Sequence, residues 1–127
     1  MLDFTIEDSA VLAELSRINA QVEDLPLDTI GQLLVDSVHA NFDAEGRPDS
    51  WEPRKDDNPW PVLNKTGTLY NSIQYRTVPD GVEVYTDTDY GDYQDLGTSV
   101  IPPRPFLLAQ TEDEDAIEEL IYRHLGI

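Results

Sequence analysis

The stretch Ile73-Gln74-Tyr75-Arg76-Thr77-Val78-Pro79-Asp80-Gly81-Val82-Glu83-Val84-Tyr85-Thr86 decides the fold class. Its first part is rich in strand formers, Pro79-Asp80-Gly81 has the chemistry of a turn, and Val82-Glu83-Val84-Tyr85-Thr86 alternates apolar with polar. Alternation points every second side chain at one face, so the stretch predicts an antiparallel hairpin with one side on a core. Upstream, Thr66-Gly67-Thr68-Leu69-Tyr70-Asn71-Ser72 reads as a short helix or turn feeding the first strand. Downstream, residues 87–97 read as a polar loop carrying Tyr90, Tyr93 and Leu96. Residues 101–108 read as an extended segment, and Pro102, Pro103 and Pro105 suit it to a sheet edge.

Helices are predicted on both sides of the hairpin. Residues 1–45 read as helical: Ser9 is a possible N-cap, and Val11, Leu12, Leu15, Ile18 and Val22 recur at three- and four-residue spacing. Asp24-Leu25-Pro26 marks a stop and restart, after which Leu27, Ile30, Leu33, Leu34, Val38 and Phe42 continue an apolar stripe. A helical hairpin and a kinked pair both satisfy this pattern. The chain closes with a helix over 111–126, capped by Thr111 or Asp113, buried along Ala116, Ile117, Leu120, Ile121 and Leu125, and ended by Gly126. The expected fold is α+β, with an N-terminal helical pair, a small antiparallel sheet over 66–108 and a C-terminal helix. A length of 127 residues suits one domain with one core.

Between the first helices and the hairpin lies a proline-rich loop over 43–65, with Pro48, Pro53, Pro59 and Pro61 and the mixed-charge run Arg54-Lys55-Asp56-Asp57. Proline at that density forbids a helix or a central strand. Trp51 and Trp60 sit in this loop and require burial, either on the chain's own core or against a neighbouring subunit.

Charge dominates the composition. Twenty-six acidic residues face eight basic ones, giving a formal net charge of −18, and only Lys55 and Lys65 are lysines. No basic patch is present, so specific phosphate-backbone binding is not expected. Abundant aspartate with scarce lysine is the balance expected of a protein working in very high salt, where self-repulsion is screened. An acidic surface that maintains solubility, or that faces a DNA channel, accounts for the same numbers. No apolar run approaches the ~18–20 residues needed to span a membrane. Met1-Leu2-Asp3-Phe4-Thr5-Ile6-Glu7-Asp8 lacks the basic and apolar regions of a signal peptide, which predicts assembly in the cytosol.

Reaction chemistry finds little support. The chain has no cysteine, so thiol nucleophiles and disulfides are excluded and a structural zinc site is disfavoured. His39 and His124 are separated along the chain and read as surface or core-edge residues. No serine lies in a nucleophile-elbow context, and no glycine-rich loop precedes a helix. Asp87-Thr88-Asp89-Tyr90-Gly91-Asp92 alternates oxygen ligands, yet its glycine is displaced and no glutamate closes a calcium loop, so a solvated turn is the better reading. Asn64-Lys65-Thr66 matches a glycosylation pattern by chance. The expectation is a non-enzyme without catalytic, cofactor or metal residues.

Three constellations remain. Glu45-Gly46-Arg47-Pro48-Asp49-Ser50-Trp51-Glu52-Pro53 follows the apolar helix end at Phe42. Thr66-Gly67-Thr68-Leu69-Tyr70-Asn71-Ser72-Ile73 leads into the strand. Tyr93-Gln94-Asp95-Leu96-Gly97 is followed by Ile101-Pro102-Pro103-Arg104-Pro105-Phe106-Leu107. In order and spacing these resemble the phage virion morphogenesis family, the tail-completion proteins of phages such as Mu and P2. More distantly they look like neck and tail-completion proteins of long-tailed siphoviruses. The resemblance covers residues 27–108, departing at Pro103, where the family usually has alanine, and at Tyr93, where it usually has histidine.

The resemblance implies a structural virion protein at the junction of head and tail. It would form a ring on the viral axis, most simply a hexamer, beside tail-terminator, tail-tube or head–tail connector subunits, with DNA passing through its lumen. Motif and subunit-contact residues would be Arg47, Pro48, Trp51, Trp60, Gly67, Leu69, Gln94, Gly97, Arg104, Pro105 and Phe106. Arg47 and Arg104 sit in proline-stiffened segments, which lowers the entropy lost in fixed ion pairs with a carboxylate of the same or an adjacent subunit. Phe106 and Leu107 read as a core anchor, and Gly67 and Gly97 as positions needing positive φ or close approach. Loops 43–65 and 87–100 are the expected subunit contacts. The rival reading is an acidic DNA mimic or anti-restriction protein, which needs a double row of carboxylates at phosphate-like spacing; a hydrolase aiding virion entry is a third, lacking a catalytic constellation.

Overall fold

In the computed structural model, residues 2–5, 15–21, 24–53 and 67–126 are described. The hairpin forms as its chemistry dictates. Strand β2 (Gln74–Val78) and strand β3 (Gly81–Tyr85) pair antiparallel, with Tyr75 opposite Val84 and Val78 opposite Gly81 across the Pro79–Asp80 turn. Val82 and Val84 are fully buried, whereas Glu83 and Tyr85 point away from the core. On that outer face Arg76 Nε lies 2.7 Å from Glu83 Oε2, and its guanidinium stands 4.8 Å from the Tyr85 ring centre.

A third strand corrects the reading of residues 1–45 as helical throughout. Strand β1 (Leu2–Thr5) pairs antiparallel with β3, Leu2 opposite Val84 and Thr5 opposite Gly81, giving the order β1-β3-β2. Leu2-Asp3-Phe4-Thr5 itself alternates apolar and polar, the period of a strand, but its partner lies far along the chain.

Helix α1 (Leu27–Asp43) follows Pro26 and packs on the sheet. Its predicted stripe is real: Ile30, Leu34, Val38 and Phe42 are buried, joined by Val35. The close approach falls at Gly31, where an added Cβ would stand 2.3 Å from the Tyr75 ring, so any larger residue drives helix and sheet apart. Residues 15–17 are helical and end at Asn19, which adopts φ 58, while the Ala20 N–H donates back to the Leu15 carbonyl. That termination makes the first helical segment separate from α1 rather than one kinked helix. Ser9, Val11, Leu12 and Val22 lie outside the described residues.

Short helix α2 (Thr68–Asn71) leads into β2. Helix α3 (Gly91–Leu96) occupies part of the region expected to be a polar loop. Residues 101–110 then run without any sheet partner, so the expected edge strand is absent there. Three prolines among them remove the N–H groups that a ladder would need. Helix α4 (Thr111–Leu125) buries Ile117 and Ile121 and ends at left-handed Gly126. Its N-cap is Gln110 rather than Thr111 or Asp113; Asp113 instead accepts the Gln110 backbone N–H at 2.7 Å. The architecture is thus α+β, with helices and a small antiparallel sheet sharing a core that includes Leu15, Val38, Phe42, Trp51, Val84, Phe106 and Ile121.

Candidate functional site

The three sequence motifs meet around the C-terminal end of α1. Two positions on its buried face are polar: Ser37 and the fully buried Asn41. Asn41 Nδ2 donates to the carbonyls of Phe106 at 2.8 Å and Leu108 at 3.0 Å. Its Oδ1 accepts Arg47 Nε at 2.8 Å and Gln110 Nε2 at 3.5 Å. Arg47 Nη2 reaches both the carbonyl and the hydroxyl of Ser37, each at 2.8 Å. The Ser37 hydroxyl in turn donates to Asp113, and Gln110 Nε2 closes the circuit on the Arg47 carbonyl at 3.0 Å. A single network therefore ties α1, the loop after it, residues 106–110 and the first turn of α4.

This arrangement answers where residues 101–110 place their backbone hydrogen bonds, since buried peptide groups must find partners. Pro105 offers its carbonyl to Trp51 Nε1 at 3.2 Å. The N–H groups of Phe106 and Leu107 both donate to Asp95 Oδ1, at 3.0 and 3.1 Å, and the Arg104 N–H donates to the Gln94 carbonyl at 2.9 Å. The Arg104 side chain donates from Nε to the Glu52 carbonyl at 3.0 Å and from Nη2 to the Pro53 carbonyl at 3.2 Å. A backbone stretch without a strand partner is held by side chains from three other segments.

Aromatic packing seals the same region. Phe42 meets Trp51 edge-on at 5.7 Å, Tyr70 edge-on at 5.6 Å and Phe106 at 5.3 Å between ring centres. The Gly46 backbone (φ 114) passes so close to Trp51 that a Cβ would stand 2.5 Å from the Trp51 nitrogen. Gly97 (φ 77) is as tight, with the Pro103 nitrogen at 2.8 Å from a built Cβ. The second motif joins from the far side of Phe42: His39 stacks on Tyr70 at 4.1 Å, and the Ser72 hydroxyl donates to the Leu69 carbonyl and meets Thr86 Oγ1 at the end of β3.

Of the residues singled out in sequence, Arg47, Trp51, Gln94, Gly97, Arg104, Pro105 and Phe106 are brought together here. Leu69 is buried nearby and Gly67 (φ 75) caps α2. Pro48 is exposed and follows a cis Arg47–Pro48 bond. Trp60 lies outside the described residues. Trp51 clamps onto the chain's own core. Arg47 and Arg104 bind carbonyl, hydroxyl and amide oxygens of their own chain; among the described residues neither pairs with a carboxylate of that chain. The reason is local: loop carbonyls without a ladder need donors, and a guanidinium in a fixed fork supplies several.

Ser37, Asn41 and Gln110 were not singled out, and Asp95 and Asp113 entered only within a motif and as a possible cap. For Ser37 and Asn41 a signal exists, because they fall four apart on the face that buries Leu34, Val38 and Phe42. Polar residues on a buried stripe demand partners. Among the described residues no cluster of three or more His, Cys, Asp or Glu side chains is placed to hold a metal ion, and no helix is long and apolar enough to cross a membrane.

No curated protein and no solved structure matches the chain. The model of the phage virion morphogenesis family matches residues 6–126, a span that takes in all three motifs and the network joining them. Such a family points to a structural role in virion assembly and a virion-associated protein. The chain belongs to the phage virion morphogenesis family.

Proposed function

We propose that this protein completes the tail or neck of a tailed virus, joining tail to head as a hexameric ring around the DNA path. The family match over residues 6–126 carries this reading. The motif chemistry supports it, because Arg47, Arg104, Asn41 and Trp51 are engaged in rigidifying irregular segments and leave no reacting group among them. Rigid, side-chain-locked loops suit a part that must present a fixed surface to neighbours. Its partners on this reading are tail-terminator, tail-tube or head–tail connector subunits, and its acidic surface keeps passing DNA from adhering. Loss of the gene should yield filled heads and separate tails that join when the purified protein is added. Intact infectious particles without it would sink the proposal.

We place the protein in a halophilic, haloarchaeal-type host on its charge. A net charge of −18 opposes compaction until salt screens it. Unfolding followed from low to molar KCl should show stability rising throughout. A flat response removes the argument for high-salt adaptation and leaves the assembly role untouched.

A further inference from the structure

Helix α3 is fastened to the rest of the chain without apolar burial. Among residues 87–96 only Gly91 is buried, and Tyr90, Tyr93 and Leu96 are 41 %, 59 % and 75 % exposed. Gly91 lies against Thr86 and Thr88, close neighbours in sequence, so even this contact is local. Segments that bury little apolar surface open at a fraction of the free energy of global unfolding. What holds α3 down is polar. Asp95 Oδ1 accepts the N–H groups of Phe106 and Leu107, and the Gln94 carbonyl accepts that of Arg104.

The stretch beneath α3 is held from two sides, and the sides differ. The carbonyls of Pro105, Phe106 and Leu108 accept from Trp51, in the loop after α1, and from Asn41, on α1 itself. The N–H groups of Arg104, Phe106 and Leu107 donate to α3. Parting the second set leaves the first intact, and with it the packing of Phe106 on Phe42. The chain can also turn at both ends of α3. Residues 87–90 form neither helix nor strand, and Gly97 stands at φ 77, a conformation that glycine adopts without steric cost. We infer that α3 is a strap that lifts from residues 104–107 as one unit while the core stays folded. Tyr93 and Leu96 travel with it, so the exposed surface they form has two positions relative to the core.

Amide hydrogen exchange on the full chain, followed in increasing urea below the unfolding transition, tests this. The amides of Arg104, Phe106 and Leu107 should share one opening constant, larger than that of the Leu34 and Val38 amides in α1. Its dependence on urea should be shallower than theirs, because lifting α3 exposes less surface than unfolding does. Asp95→Ala then separates a strap from independent bonds. It removes the acceptor of Phe106 and Leu107 and leaves the Gln94 carbonyl in place for Arg104. A unit transmits the loss, so exchange at Arg104 should rise roughly tenfold and keep its shallow urea dependence. An Arg104 amide that ignores Asp95→Ala overturns the strap, as do unequal opening constants for the three amides in the parent chain. A urea dependence as steep as that of α1 overturns it too, since the three N–H groups would then be released only by global unfolding.

Discussion

The β2–β3 hairpin and residues 101–110 are two non-helical stretches of one chain that satisfy their backbones in opposite ways. The hairpin pairs strand with strand, and its polar side chains, Arg76 and Glu83 among them, lie on the outer face. Residues 101–110 have no strand beside them, and Asn41, Asp95 and Trp51 supply hydrogen bonds that a ladder would have given. In a ladder each bond is redundant with its neighbours and indifferent to side-chain identity. In the clasp one side chain serves several peptide groups, so its loss exposes them together. The difference predicts that polar substitutions will be costly in the second region and cheap in the first.

The sharpest test is Asn41→Ala. It leaves the Phe106 and Leu108 carbonyls and the Arg47 Nε–H without a partner in a buried place, at a cost on the order of 3 kcal/mol. Urea unfolding would measure it, and a loss under about 1 kcal/mol would mean that the clasp is decorative. Asp95→Ala comes next. Two N–H groups lose their acceptor, but the site is only half-buried and water can replace it, so about 1–2 kcal/mol is expected. Because Asp95 also holds α3 in place, the exchange protection of the Phe106 and Leu107 amides should fall further than that of β3. Equal losses in both would contradict the separation between the regions.

The two regions were also unequally legible in sequence. Hairpin, α1 and α4 announced themselves because their signals are local: period-two alternation beside a proline turn, and apolar stripes at helical spacing. Strand β1 carried the right alternation but was absorbed into a helical reading, since its partner β3 is not adjacent in sequence. The clasp was half visible. Gly46, Arg47, Trp51, Arg104 and Phe106 stood out as motifs, yet Asn41 meets Phe106 across 65 residues, and no periodicity reports a contact of that kind. Residues 101–108 read as an edge strand because their prolines exclude a helix, and nothing local in the sequence says that a strand partner is missing. What sequence alone misses here is the set of polar side chains that stand in for a missing strand.

On the hairpin side, Arg76→Ala should cost less than about 1 kcal/mol, since its guanidinium is largely exposed and surface ion pairs contribute little. A loss matching that of Asn41→Ala would erase the contrast.

The smallest effect concerns pH, and it isolates what does hold the hairpin, namely its seat on α1. The Tyr75 ring lies against Gly31, and its hydroxyl donates to Asp28 Oδ1 at a long 3.4 Å. Partial burial, then the Asp28 charge and this hydrogen bond, hold the Tyr75 phenol above its ordinary value of 10.0. The folded chain therefore keeps the proton longer than the unfolded chain. That contribution is fully present below pH 10 and is lost as pH rises through the raised value. Tyr75→Phe keeps the ring on Gly31 and removes the titration, so it should change stability little at neutral pH and flatten the decline above pH 10. If Tyr75→Phe declines as steeply there as the parent chain, the phenol is not held above its ordinary value by Asp28 and its surroundings.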